Sequence, residues 1–277
     1  MNIKRHGGLK YISFDNIEAT GFVNHAFSTR LGGVSQGSFA SLNLGLKRGD
    51  EHEHVIENYR RMGKAVGFEP GNVVFSNQIH GTGVHRAYAE DRGNGFTRPA
   101  TIRDMDAFVT NVENVVLQTF HADCVPVFLV DPVRRAVGLA HAGWVGTLQE
   151  VAVVTVRRMV AEFGTDPADI VAGIGPSIGP DSFEVGADVA DRFRAELPFS
   201  VEFTRTRGEK YLIDLWAVNR RSLEASGLAP QNIEEARLCT YANPEMFYSH
   251  RLVGTDRGTM AAFIEIKTGQ GYDNYKR

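Results

Sequence analysis

Cysteine is nearly absent from this 277-residue chain, which has only Cys124 and Cys239. Two thiols cannot staple a chain this long, so its stability must come from apolar burial. The reducing cytoplasm is then the expected compartment. Long apolar runs are also lacking. No stretch approaches the roughly 20 residues that a membrane helix needs, which excludes a helical span and leaves no membrane partner to expect. The opening stretch MNIKRHGGLKYISFDNIEAT has no apolar h-region and no small-residue cleavage site, so a secretory signal is not expected. Charge of one sign is missing too: 30 basic against 33 acidic residues give a formal net charge of -3. Without a basic excess there is no electrostatic reason to expect a nucleic-acid partner. GxGxxG, GxxxxGK[ST] and HExxH are all absent. The dinucleotide, ATP and zincin readings therefore lose their usual support.

What is present is an ordinary globular composition, 43% hydrophobic and 23% charged, which excludes whole-chain disorder. There is no repeat, low-complexity tract or Pro/Ser-rich linker, so one domain over residues 1–277 is expected. The segments VVFSNQI, DAFVTN, VVLQTF, VPVFLVD, AVGLAHA, IVAGIG and MAAFIEI are short, apolar and rich in β-branched residues. They read as strands, several of them buried on both faces. Helical patterns run over 50–66, 148–163, 187–196 and 212–226, and Gly164 stands where a helix-ending C′ glycine would. Strands and helices intermingle without strict alternation. The expected fold is α/β of the mixed α+β kind: mixed β-sheets packed between helices.

The 29 glycines, about one residue in ten, cluster in loops where backbone must come close to something. Two such loops and one glycine-free connection between strands carry metal-type side chains. Gln78-Ile79-His80-Gly81 follows a strand, Ala122-Asp123-Cys124-Val125-Pro126 joins two strands, and His141-Ala142-Gly143-Trp144 ends a strand and opens a helix. His80, Cys124 and His141 would make a His₂Cys set. Zinc accepts that mix, and three protein ligands leave a fourth position for water or substrate. Such an ion acidifies its water and acts as a Lewis acid. The plainer reading of each residue is structural: a hydrogen-bonded loop histidine, or a cysteine serving as a small buried apolar group. That reading fits Cys239 better, since nothing ligand-like flanks it. His121 is either a partner behind the ligands or an alternative ligand. The pair His52 and His54 lies in a charged helical stretch and reads as a solvated face. Arg30, in STRLGGVS, could hold an anion or belong to an ordinary loop. Trp144 could stack on a flat base or fill the core.

Taken in order, DAFVTN, TFHADCVPVFLVDP, AVGLAHAGWVGT and GIGPSIGPDSFEVG resemble the YfiH-like family, also called the laccase-domain, polyphenol-oxidase or peptidoglycan-editing-factor family. FSTRLGGVS, SLNLG, NQIHG, Cys239-Thr240 and YSHR extend the likeness to nearly the whole chain. The resemblance implies a single α/β domain with zinc held by His80, Cys124 and His141. It also implies phosphorolysis of adenosine, inosine or methylthioadenosine, giving free base and ribose 1-phosphate, with adenosine deamination beside it. In that scheme Asp123 or His121 carries protons next to Cys124. Arg30 takes phosphate, with Arg251 in support, while Asn43 and Gln78 contact hydroxyl or base. Val145 stands where the family often has a basic residue, so Arg30 or Arg251 would have to compensate. Two alternatives use the same family: an amide hydrolase editing a peptidoglycan precursor, with Cys124 as nucleophile and His141 as base, and a copper polyphenol oxidase, with copper as the less favoured metal.

Overall fold

Two six-stranded mixed sheets stack face to face in a computed structural model that describes residues 1–269. In the first sheet, β1 (Asn2–His6), β2 (Leu9–Ser13), β3 (Val23–Ser28), β15 (Met260–Ile266) and β7 (Val116–His121) pair antiparallel in that order, and β4 (Val73–Val74) adds parallel to β7. In the second, β10 (Val171–Ile174), β8 (Val125–Asp131), β9 (Ala136–Ala142) and β6 (Ala107–Thr110) are antiparallel neighbours. It is edged by parallel β14 (Ile233–Glu235) and β5 (Val84–Arg86). A small third sheet holds β11 (Glu184–Val185), β13 (Lys210–Ile213) and β12 (Thr204–Arg207). The helices are α1 (Asp15–Glu18), α2 (His52–Val66), α3 (Trp144–Leu148), α4 (Val151–Phe163), α5 (Ala187–Glu196), α6 (Leu215–Ala225) and α7 (His250–Val253).

The period-2 alternation of a strand explains the layering. Along β8, Val125, Val127 and Leu129 join α4 and α6 in one apolar cluster, while Phe128 and Val130 join Phe27 and Leu117 of the first sheet in a second. Outside the first sheet, Tyr59 and Met62 of α2 cover Val116, Ala261 and Phe263. The order is helix, sheet, sheet, helix, as expected for mixed sheets between helices. Strands β8, β9 and β15 are buried at every position, which is why they read as unbroken apolar runs. Fully burying one Phe or Leu in these clusters contributes roughly 1.5–3 kcal/mol.

Element boundaries depart from the expectation most in three places. The run 73–79 is strand only at Val73–Val74 and then continues outside regular secondary structure. The helix expected over 148–163 is broken: α3 ends early, and Glu150 takes φ 55° before α4 begins. The helix expected from 212 starts at Leu215, because 210–213 pairs as β13 and the Asp214 side chain caps α6 by accepting the Ala217 N–H at 3.0 Å.

Candidate metal centre

Beyond β4 the chain is clipped to the end of β7 by Gln78. Its Nε2 donates to the Phe120 carbonyl at 3.0 Å, and its Oε1 accepts the Phe120 N–H at 2.6 Å. The side chain thus imitates a strand residue, and the backbone is released to turn. His80 follows with φ 61°, left-handed for a non-glycine residue. The Asp106 carboxylate, fully buried at the entrance to β6, holds that conformation. It accepts the N–H groups of Ile79, His80 and Gly81 at 3.1, 3.0 and 2.9 Å.

The same carboxylate meets Nδ1 of His141 at 2.9 Å. One acid therefore fixes the loop that carries His80 and the orientation of the His141 ring, leaving His141 Nε2 for a ligand. Burial pushes the Asp106 carboxyl up. The hydrogen bonds from His141 and from the Gly81 and Ile79 N–H groups outweigh it and hold the carboxyl below its ordinary value.

Cys124 arrives from the turn between β7 and β8. Asp123, with φ 85°, ties that turn to a distant segment. Its carboxylate accepts Thr240 Oγ1 at 2.6 Å, Ser249 Oγ at 3.0 Å and the Arg251 N–H at 2.7 Å. His121 is buried, with Nδ1 3.0 Å from the Cys124 carbonyl and Nε2 2.8 Å from Thr119 Oγ1. Burial, reinforced by the nearby His141 charge, holds His121 well below the ordinary histidine value, so its ring is neutral.

One ligand atom from each of His80, Cys124 and His141 lies within 4.8 Å of the others. Among the described residues this is the one such group of three. His141 is buried, Cys124 half-buried and His80 exposed, so the group opens to solvent on the His80 side. Gly143 borders it closely. A Cβ there would sit 2.7 Å from His80 Cδ2 and 3.3 Å from Cys124 Sγ, so the approach requires glycine. Burial raises the Cys124 thiol, but the His141 charge and hydrogen bonds from both imidazoles lower it more, to well below its ordinary value. Burial lowers His141, but the Cys124 charge and Asp106 raise it more. Two imidazoles and a thiol poised as thiolate suit zinc as a donor set, and three protein ligands leave a position open.

The other expected residues make contacts of their own. Arg30 donates Nε and Nη2 to the Ala40 carbonyl and Nη1 to the Pro244 carbonyl, and its guanidinium lies 4.6 Å from the Tyr248 ring centroid. Asn43 is buried; its Oδ1 accepts the Gly45 and Thr259 N–H groups and its Nδ2 donates to Asp50. Arg251 donates to the Ser182 and Glu184 carbonyls. Trp144 is half-buried directly after Gly143, with Arg192 over its ring. Cys239 lies outside the group, its sulfur accepting the Gly179 and Ala242 N–H groups. His54 sits beside Asp50 and Glu51 at the start of α2, as a solvated face would. Sequence reasoning missed Asp106, which stands among ordinary acidic residues in RDMDAF and carries no local signal of its four acceptor bonds.

The family described as multi-copper polyphenol oxidoreductase laccase matches residues 24–267. The chain is 39% identical over 244 residues to purine nucleoside phosphorylase YlmD of Bacillus subtilis, covering 87% of each chain. It is 37% identical over 240 residues to the protein of the same name from Geobacillus stearothermophilus, covering 86% of this chain and 88% of that one. The crystal structure of YlmD from Geobacillus stearothermophilus superposes with a TM-score of 0.89 at 34% identity, covering 96% of this chain and 99% of the other.

Proposed function

The chain belongs to the multi-copper polyphenol oxidoreductase laccase family, the group that includes YfiH and YlmD, and on that footing we propose that it is a zinc-dependent purine nucleoside phosphorylase with adenosine deaminase activity. Its substrates are adenosine, inosine or methylthioadenosine with phosphate, and residues 1–277 act as one catalytic domain in the cytoplasm. The observation that carries the reading is the convergence of His80, Cys124 and His141 behind Asp106, in a chain whose relatives are named purine nucleoside phosphorylases.

His80, Cys124 and His141 would hold the ion. Bound there, zinc supplies a Lewis acid and a means of activating water at neutral pH. In phosphorolysis a phosphate oxygen bonds to the ribose anomeric carbon as the bond to the purine nitrogen breaks. The transition state has oxocarbenium character, so the protein's work is to position phosphate and sugar and to stabilise the departing purine. Asp123 and His121 are assigned as proton carriers. Adjacency to the thiol supports them, with His121 hydrogen-bonded to the Cys124 carbonyl. Trp144, beside Gly143, is the flat surface for the purine. Arg30, Asn43, Gln78 and Arg251 shape the walls through the contacts described above.

A second reading rests on a specific observation. Cys124, His141 and Asp106 have the make-up of a nucleophile, a base and an orienting acid, as an amide hydrolase would need. Copper oxidase chemistry has less support, because the His52 and His54 pair joins no ligand group among the described residues.

Adenosine incubated with the purified protein tests the proposal. Adenine and ribose 1-phosphate should appear only with phosphate, and inosine with or without it. Adenosine intact in both conditions overturns the reading and favours the hydrolase. Cys124→Ala should lose both bound zinc and activity; full activity in metal-free Cys124→Ala protein is incompatible with the metal-dependent mechanism.

A further inference from the structure

Next to the ligand group, a second set of polar side chains gathers with its hydrogen-bonding capacity unspent. Strands β7 and β15 run antiparallel, with Met260 opposite His121. Past that pair, one chain continues from His121 to Cys124 while the other runs back through Thr259 to Arg257. The register therefore carries Arg257 and Thr259 to the Cys124 side. Both are buried, with 6% and 3% of their surface exposed. Arg257 donates Nη1 to the carbonyl of its own neighbour, Gly258, at 2.9 Å. Its Nε has no partner, and neither does the Thr259 hydroxyl. A buried guanidinium N–H and a buried hydroxyl left without partners are costly, and a native protein rarely keeps them without a ligand to meet them.

Arg48 completes the set. A Cβ on Gly45 would lie 2.8 Å from Arg48 Cγ and 3.0 Å from Thr259 Oγ1, so these two side chains close around one glycine. Asn43 builds the corner, accepting the N–H groups of both Gly45 and Thr259 at 2.9 Å. Arg48 has no hydrogen-bonded or ion-paired partner among the described residues. Its charge acts on Arg257, as do those of Asp123 and Cys124. Two guanidinium groups close enough for one charge to act on the other repel unless an anion lies between them. The neighbouring carboxylate, Asp123, is already spent on Thr240, Ser249 and the Arg251 N–H. Arg30 and Arg251 spend their donors on backbone carbonyls.

We propose that Arg48, Arg257 and Thr259 form an oxyanion subsite that takes inorganic phosphate beside the His80–Cys124–His141 group. Two guanidinium forks and a hydroxyl match the donor demand of a tetrahedral phosphate. The role of that phosphate as the attacking reactant rests on the phosphorylase reading; its binding does not.

Calorimetric titration of the zinc-loaded full chain with inorganic phosphate tests the subsite, with phosphate KM measured in parallel. Arg48→Gln and Thr259→Val should each weaken phosphate binding roughly tenfold, and Arg257→Gln by up to about a hundredfold, as expected for lost charge-assisted hydrogen bonds. Arg48 is exposed, so its variant keeps the test valid if Arg257→Gln does not fold. Phosphate binding that these variants weaken, without any phosphorolysis of nucleosides, would retain the subsite and overturn the phosphorylase reading. Phosphorolysis with the same phosphate Kd and KM in Arg48→Gln and Thr259→Val as in the wild type would overturn the subsite alone. No detectable phosphate binding by the wild type would overturn it as well.

Discussion

A single carboxylate, Asp106, receives three backbone N–H groups and the His141 ring. Asparagine has nearly the same shape, but its amide would oppose N–H groups donor to donor. Asp106→Asn should therefore lower zinc affinity by about 10–100-fold, measured by competition with a chromophoric chelator. Unchanged affinity would show that the ligands orient without it. Cys124 offers a pH test. Its thiol is lowered from the ordinary 9.0 to about 6, with burial opposing and the His141 charge and imidazole hydrogen bonds prevailing. A lowered pKa means that thiolate persists as pH falls from 9 and is lost only on passing about 6. Alkylation of Cys124 in metal-free protein, followed by peptide mapping, should stay fast down to that point and then slow. An inflection near the ordinary value would contradict the ion pair, and bound zinc should block the reaction.

Among the elements, the broken α3–α4 segment decides how the metal loop leaves the sheet. Residues 141–144 must pass from a buried strand to a helix while the backbone at Gly143 skirts two ligands. The second helix then ends on Gly164, at φ 66°, whose N–H returns to the Val160 carbonyl. A Cβ at Gly164 would meet nothing within 4 Å, so an alanine there is penalised by its backbone conformation alone. Gly164→Ala should cost about 1 kcal/mol of stability in urea unfolding, with activity intact. A neutral result would mean that the helix end shifts to relieve the angle.

On the scale of the molecule, the three ligands come from three different connections: the loop after β4, the turn between β7 and β8, and the end of β9. β4 and β7 belong to one sheet, β8 and β9 to the other. An ion bound there ties the two sheets together at one end and should stabilise the fold by mass action, by about 2.7 kcal/mol when free zinc is 100 times its Kd. Differential scanning calorimetry should show the Tm fall by several degrees on chelation and recover with zinc. Cys124→Ala should show neither change. A wild-type Tm indifferent to both treatments would argue against binding at this junction.

Strands 125–131, 136–142 and 260–266 and the helix 187–196 are legible residue for residue. Their burial pattern is written in local apolarity, and turn residues bound them. So are the mixed-sheet fold class, the family, and the choice of the three metal-type residues, two of them set in glycine-rich loops. β1, whose apolar Ile3 is exposed while polar Asn2 and Lys4 are half-buried, gives no such contrast, and β11 and β14 are too short to show a period. Only the tertiary structure decides that β7 and β8 lie in different sheets, so that the turn between them carries Cys124 to the junction. It also decides that Asp106 grips two ligand segments, and that Arg257 and Thr259 reach the Cys124 side. Those facts depend on strand register and long-range hydrogen bonds, and a residue's immediate neighbours in sequence carry no record of either.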